Sequence, residues 1–445
     1  MASFARYVQD SGEEVSGSDP YASTEALAYW RGRGCTVYDQ HDASHVKDAD
    51  LVVYSSAIPR DNVERVAGEV RGIAMSRGEA LARFANAHGG SIAVCGTHGK
   101  GTTAGAITHI LSTAGEPTSD ILGAVPRGRL SSSHYVKNAK YLVCEVDESD
   151  RTHLFHRPMA MILNNVEVDH LNTYSDLNDI VDCFADHIRS CKDSRVFVHY
   201  AGIGAPRLYD RLRGLEHVTW IAPDSIDIPN AWHYRVLSVD ASSHHTIELW
   251  SDSSRIVLEC GISGYANAQN TVSAAVLTLS LGIAPAAVRE AARTYAGLCD
   301  RCEITQAGDY SLVTDYASHP TCVTNDIAWN RTQAKRIIAI YHPYRYSLMA
   351  HHWSALAAAL SAADIVLLAP FDGAGEQPVE GLSSEALAMR IHAEREGCTA
   401  YAFDSFDALE ASAPRYIHPQ DRVIIFGGGL LFSMGHRILQ KLHNH

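Results

Sequence analysis

The sequence predicts an α/β protein of three domains, and three observations carry that prediction. Strand-like and helix-like patterns alternate along most of the chain, as they do where helices cover a parallel sheet. Several short apolar runs end in polar residues, as expected where strand carboxyl ends carry a site. The length, 445 residues, fits about three domains at roughly 150 residues each. The chain is 46% hydrophobic and 20% charged, ordinary for a globular protein with sizeable cores. Lys and Arg number 37 against 51 Asp and Glu, a net charge of −14. Such a surface disfavours nucleic acid and anionic membranes, although a local positive site can still hold a polyanionic small ligand.

The first stretch opens inside a helix-like segment, passes Ser16-Gly17-Ser18-Asp19, and continues with a helical TEALAYWRGRG. Strands follow at Cys35–Tyr38 and Leu51–Tyr54. A nucleotide-binding α/β unit usually begins with a strand and a glycine-rich turn, and this one begins with what reads as the helix after that turn. A second unit starts at Ser91–Cys95, a short apolar strand that feeds a glycine-rich loop and then a helix. Tyr141–Cys144 and Met159–Leu163 read as its next strands. After Gly297 a third unit has strands at Arg336–Ile340, Ile365–Leu368 and Arg422–Phe426. The uncharged run Thr271–Val288 is broken by Gly282 and Pro285. It reads as one core helix ending and another starting, not as a membrane span.

The N-terminus has no apolar signal core, and a cytoplasmic location is expected. Ten cysteines are scattered rather than spaced as a disulfide framework. The single close pair, Cys299 and Cys302, has no second pair nearby, and idle or buried thiols are the expectation there. The histidine pairs at 244–245 and 351–352, and the terminal His443-Asn444-His445, read as surface residues.

Three clusters carry chemistry. Gly96-Thr97-His98-Gly99-Lys100-Gly101-Thr102-Thr103 lies between a strand and a helix. Backbone N–H groups of such a loop, with the helix N-terminus, form an anion cradle, and Lys100 adds a point charge for phosphates. The full G-x-x-x-x-G-K-[ST] pattern is not met. Val94 takes the first glycine position, and Gly101 stands where the metal-binding hydroxyl should be. The second cluster, Glu145-Val146-Asp147-Glu148-Ser149-Asp150, closes a strand with four carboxylates. Carboxylates so crowded need a cation or solvent, and Mg²⁺, which prefers oxygen ligands and bridges phosphates, is the natural partner. Asn165-Val166-Glu167-Val168-Asp169-His170 closes the next strand. Together the three clusters read as an ATP–Mg²⁺ site.

At these residues the chain resembles the Mur ligases. G-T-H-G-K-x-T-T, E-V-D-E-S-D, N-N-V-E-V-D-H-L-N-T-Y, G-x-x-N-A-Q-N, D-Y-x-x-H-P-T, P-x-R-Y and A-G-E fall in that family's order over essentially the whole chain. The nearest look is to the branch that joins UDP-N-acetylmuramate to L-alanine, with muropeptide ligases second. The resemblance implies a UDP-sugar-binding Rossmann-like domain over 1–89, whose first strand is missing. It also implies a central P-loop ATPase-like domain over 90–299 and a C-terminal Rossmann-like acceptor domain over 300–445. ATP would phosphorylate a carboxylate to an acyl phosphate, which an amine then attacks. The resemblance places Lys100 and the loop from Gly96 to Thr103 on the phosphates, with Asn165 nearby. Glu145 and His170 become Mg²⁺ ligands, and Thr102 is the candidate for the hydroxyl that Gly101 lacks. Asn267 and Asn270 fall on the adenine side, and Arg301 and Asp315 would complete the ATP site. Ser18, Asp19, His41, Ser55 and Ser56 match UDP-contacting loops. Tyr316, His319 and Arg345 fall on the acceptor. The partners implied are small molecules, a UDP-sugar carboxylate and an amino acid.

Four departures from the family pattern keep other readings open. Gly101 replaces a hydroxyl residue. Tyr265 and Ala266 stand where the family has Arg and His, and Asp300 replaces one arginine of a pair. Ser318 and Leu348 stand where the family has His and Arg, and leucine cannot hold a carboxylate as a guanidinium fork does. The first strand and its glycine turn are missing, through a start site placed too late or through a shortened domain. Alternatives are therefore a ligase of the same chemistry for another acid and amine, or a non-catalytic nucleotide-binding paralogue.

Overall fold

Alternate residues of the third-unit strands divide between two cores, the mark of a sheet covered on both faces. In the computed structural model, which describes residues 1–240 and 242–443, Ile337, Ala339 and Tyr341 pack into one buried cluster with Val313 and Phe426. Ile338 and Ile340 pack into another with Leu312 and Ile425. The six strands run Glu303–Ala307, Tyr310–Asp315, Arg422–Phe426, Ile337–Tyr341, Ile365–Leu368, Thr399–Ala402 across the sheet. The first pair is antiparallel and the others are parallel. Asp315, Tyr341 and Phe426 lie side by side at the carboxyl ends, where open α/β sheets carry their sites.

A ten-stranded sheet is built around Ser91–Cys95, buried at all five positions. Its parallel neighbours are Tyr141–Glu145 on one side and Ala160–Leu163 on the other. Val94 is in register with both Glu145 and Ile162. The loop after Ser91–Cys95 and the polar clusters after its neighbours thus emerge at one sheet edge. Beyond Ala160–Leu163 the sheet continues through Arg195–His199, Val218–Pro223, Trp232–Val239, His244–Trp250 and Arg255–Ser263. The sequence reading has no strands in that last stretch, although Arg255–Ser263 alternates exposed and buried residues with period two. Helices Tyr265–Ser280 and Pro285–Thr294 fall where the broken uncharged run places them.

The chain divides into two compact units. The first comprises Met1–Arg235, Ile247–Glu259 and Asn270–Ala296; the second comprises Val236–Thr246, Cys260–Gln269 and Gly297–His445. In the first unit, helix Ala2–Asp10 inserts Phe4 and Tyr7 into the core of the large sheet. Phe4 meets Phe84 edge-on at 5.2 Å and Tyr7 meets Tyr135 at 5.5 Å. The strands after it form two parallel pairs, Ser16–Ser18 with Thr36–Tyr38 and Val52–Tyr54 with Ala74–Ser76. No helix among the described residues is long and apolar enough to cross a membrane. Asn444 and His445 lie outside the described residues.

Three buried histidines, His153, His156 and His187, are expected to make the fold acid-sensitive. His153 faces His187 edge-on at 5.5 Å, and His156 is 2% exposed. Burial pushes His153 and His156 down to about 3 and His187 to about 4. A histidine depressed on folding binds its proton in the unfolded chain first, at about pH 6.5. Its contribution is therefore complete above that pH and is lost as pH falls toward the folded value. At pH 5 each histidine disfavours the folded state by about 2 kcal/mol. The melting temperature is expected to drop between pH 7.5 and pH 5, and His187→Phe should shrink that drop. An equal drop in wild type and variant would remove the histidines as its cause.

Candidate active site

Two glycines shape the loop after Ser91–Cys95. Gly96 has φ +126° and Gly99 has φ +76°, and the left-handed Gly99 caps helix Lys100–Thr113. A Cβ on Gly99 would lie 2.3 Å from Asn270 Oδ1, so only glycine admits that close approach. Asn165 fastens the loop: its Oδ1 accepts from His98 N at 2.8 Å and its Nδ2 donates to His98 O at 3.1 Å. Thr97 Oγ1 accepts from Glu167 N at 3.0 Å, and Thr103 Oγ1 accepts from Asn164 Nδ2 at 3.0 Å. Thr102 is buried on the same helix, its carbonyl accepting from Tyr295 Oη at 3.0 Å. Gly101 follows Lys100 in the first helical turn.

Lys100 turns back into this loop. Its Nζ donates to Gly96 O at 2.8 Å and to both carboxylate oxygens of Glu148 at 3.0 Å. The two side chains are only 14% and 3% exposed. Burial alone would lower the Lys100 pKa, but the charges of Glu148, Asp147 and Glu145 outweigh it and hold the ammonium above its usual value. The lysine stays charged between the glycine loop and the N-terminus of helix Lys100–Thr113, a setting suited to an anionic ligand.

His170 has φ +53°. Its Nε2 lies 3.6 Å from Glu148 Oε1 and its Nδ1 lies 3.7 Å from Asp169 Oδ1. Burial tends to lower its pKa, and Glu148 and Asp169 reverse that and raise it. Asp147, Glu148 and His170 each offer one ligand atom, all within 4.8 Å of one another. Two hard carboxylate oxygens and an imidazole beside Lys100 are a donor set able to hold a divalent ion such as Mg²⁺. The sequence reading names Thr102, Glu145 and His170 for this role. The cluster found here shares His170 with that set and adds Asp147 and Glu148. Glu145 Oε2 accepts from Gly123 N at 2.8 Å, where a Cβ on Gly123 would come within 2.6 Å of it. Neither Glu148 nor Gly123 could be singled out from spacing alone, because their partners are far away in sequence.

At the start of the chain two of the expected UDP-side residues, Ser18 and His41, meet at Glu64, which is 9% exposed and which spacing alone does not single out. Ser18 Oγ donates to Glu64, His41 Nδ1 lies 3.0 Å from its Oε2, and His45 Nδ1 lies 2.9 Å from its Oε1. Burial would raise the Glu64 carboxyl, but Ser18, His45 and His41 bring it below its usual value. Asp19 Oδ1 accepts from Tyr21 N and Ser55 Oγ accepts from Ala57 N, each shaping its own turn. Ser56 is exposed beside Ser55.

In the second unit, Asn267 Nδ2 donates to Ser263 O at 2.9 Å. Arg301 lies over the Tyr316 ring at 4.8 Å, and Tyr316 packs so closely on Gly428 that a Cβ there would sit 2.7 Å from the ring. His319 Nδ1 caps helix Pro320–Arg331. Arg345 has φ +61° and starts helix Tyr346–Ser361, whose Ser347 N and Oγ are held by Glu376. Ser318 is exposed and Leu348 half-buried.

Three family models match the chain. The Mur ligase family catalytic domain matches residues 1–88, the Mur ligase middle domain 94–278, and the Mur ligase glutamate ligase domain 300–429. The UDP-N-acetylmuramate–L-alanine ligase of Salinispora arenicola is 32% identical over 99% of this chain and 86% of its own length. The ligase of that name from Rubrobacter xylanophilus is 31% identical over 99% and 97%. Among solved structures, the UDP-N-acetylmuramate–alanine ligase of Thermotoga maritima shares the fold with a TM-score of 0.78 at 20% identity, covering 100% of this chain and 96% of its own. A murein peptide ligase from Psychrobacter arcticus does so with a TM-score of 0.71 at 23% identity, covering 100% and 97%.

Proposed function

The chain belongs to the Mur ligase family, and from that premise we propose that it is an ATP-dependent ligase joining the carboxylate of UDP-N-acetylmuramate to the amine of L-alanine. The observation that carries this reading is the buried Lys100–Glu148 pair at the mouth of the glycine loop, beside Asp147 and His170. Phosphoryl transfer asks the protein mainly for positioning and charge neutralisation, and this constellation supplies both.

In the reaction a carboxylate oxygen of the sugar nucleotide attacks the γ-phosphorus of ATP. The bond to the β,γ-bridging oxygen breaks and ADP leaves. The amine then attacks the acyl carbon and loses a proton, and the tetrahedral adduct expels phosphate to leave the amide. Lys100 and the loop from Gly96 to Thr103 hold the β- and γ-phosphates. His170 with Asp147 and Glu148, and by family likeness Glu145 and Thr102, would hold Mg²⁺. When bound, that ion neutralises phosphate charge. Asn165 keeps the loop in shape. Asn267, Asn270, Arg301 and Asp315 are assigned to the rest of ATP. Ser18, Asp19, His41, Ser55 and Ser56 are assigned to the UDP portion, and Tyr316, His319 and Arg345 to the amino acid. The corresponding domains are 1–89, 90–299 and 300–445. A sugar nucleotide and ATP are cytoplasmic metabolites, and the reading places the protein there.

Ser318 and Leu348 favour one second reading, a ligase with another acceptor. Incubation with ATP, Mg²⁺, UDP-N-acetylmuramate and a panel of amines, followed by phosphate release and product mass, separates the two. Turnover is expected with L-alanine. Turnover only with another amine moves the protein to the second reading, and nucleotide binding without turnover for any pair overturns both.

A further inference from the structure

Cys302, the second thiol of the C-x-x-C pair, lies against two aspartates. Its φ of +45° is left-handed, a conformation that a non-glycine residue keeps only where its surroundings impose it. The imposing contacts are two aspartates. Cys302 N donates to Asp315 Oδ2 at 3.0 Å, and Sγ lies 2.8 Å from that oxygen and 3.4 Å from Asp326 Oδ1. Asp315 ends strand Tyr310–Asp315 and is 7% exposed. Asp326 lies on the buried face of helix Pro320–Arg331 and is 5% exposed. Its second oxygen, Oδ2, is buried and makes no hydrogen bond.

This grouping is electrostatically incomplete. Among the described residues the groups that act most strongly on Asp326 are Asp315, Cys302 and Trp329, and on Cys302 the two aspartates. All are acidic or neutral. Burying a carboxylate without a counter-charge costs several kcal/mol, so protons or a cation must complete the cluster. The donor set speaks for a cation. One ligand atom from each of the three residues lies within 4.8 Å of the others. A thiolate with two carboxylates suits a borderline-soft ion and not Mg²⁺ or Ca²⁺, which take oxygen. Around a tetrahedral zinc, with Zn–S about 2.3 Å and Zn–O about 2.0–2.2 Å, neighbouring sulfur and oxygen ligands stand roughly 3.5 Å apart. The Cys302–Asp326 spacing of 3.4 Å already meets that, and Asp315 at 2.8 Å needs to open by less than an ångström.

We propose that Cys302, Asp315 and Asp326 form a divalent transition-metal site of the zinc type, with water in the fourth position. Such an ion would tie the turn carrying Arg301 to the strand and helix that supply the two aspartates. The site shares Asp315 with the residues assigned to ATP, and its test reads metal binding without nucleotide, so its failure is distinguishable from a failure of the ligase reading.

The test titrates the chelator-treated full chain with Co²⁺, without nucleotide or Mg²⁺. The site predicts one saturable Co²⁺ with a near-ultraviolet sulfur-to-cobalt charge-transfer band and tetrahedral d–d bands, both bleached by Zn²⁺; Co²⁺ taken by Asp147, Glu148 and His170 has no sulfur ligand and adds nothing to the charge-transfer band. Cys302→Ser should abolish the charge-transfer band, Asp326→Asn should weaken binding about tenfold or more, and Cys322→Ser should leave both unchanged. Circular dichroism checks that each variant is folded. Should Cys302→Ser fail to fold, the wild-type titration with Asp326→Asn decides. Absence of a saturable band in the wild-type chain, a band that survives Cys302→Ser, or unweakened binding in Asp326→Asn overturns the proposal.

Discussion

Replacing Lys100 by methionine is expected to lower kcat/KM by about 10³-fold or more, since the γ-phosphoryl group loses its fixed positive charge. The variant should also be less stable. Glu148, with a side chain 3% exposed, loses the ammonium that both its oxygens accept from at 3.0 Å. Removing one member of a buried pair costs about 3–5 kcal/mol, because the other is left charged and dry. The two effects separate in the double variant Lys100→Met/Glu148→Gln. Neutralising both partners should recover most of the melting temperature and none of the activity. Activity persisting in folded Lys100→Met would remove the lysine from the phosphate site.

His170→Ala is expected to raise the Mg²⁺ concentration for half-maximal turnover by about 10–100-fold, the range seen when a metal site loses part of its support. His170 is the residue on which the motif and the geometry agree. Its ring lies 3.6 Å from Glu148 and shares the three-donor cluster with Asp147. A Mg²⁺ titration of turnover checks this, with Gly123→Ala as a second arm. A methyl there would press on the Glu145 carboxylate from 2.6 Å. If both carboxylate groupings serve the ion, both variants need more Mg²⁺. An unchanged requirement in His170→Ala would take the histidine out of the ion's reach.

The motifs were legible because their chemistry is local. A strand, two left-handed glycines and a lysine follow one another along ten residues, and Ser91–Cys95 could be read from its apolar run alone. The third-unit strands Ile337–Tyr341 and Ile365–Leu368 are apolar runs for the same reason, being covered on both faces. What stayed hidden depends on distant partners. Glu148 belongs to a visibly acidic run, but its role comes from Lys100, 48 residues earlier. Glu64 gathers Ser18, His41 and His45 from separate turns. Cys302 acquires meaning only when the strand to Asp315 and the helix to Asp326 fold beside it. Arg255–Ser263 was passed over because one apolar face gives a weak alternating signal.

Ser318 is exposed and Leu348 half-buried, and on the proposed reading they bear on the choice of amine and not on the activation chemistry. That chemistry is the central claim, and an oxygen label tests it most directly. UDP-N-acetylmuramate carrying ¹⁸O in its carboxylate would be turned over with ATP, Mg²⁺ and L-alanine, and the released phosphate weighed by mass spectrometry. An acyl phosphate held over Lys100 predicts one ¹⁸O delivered to phosphate per amide formed, with ADP as the nucleotide product. Amide formation with unlabelled phosphate, or with AMP as the product, would contradict it.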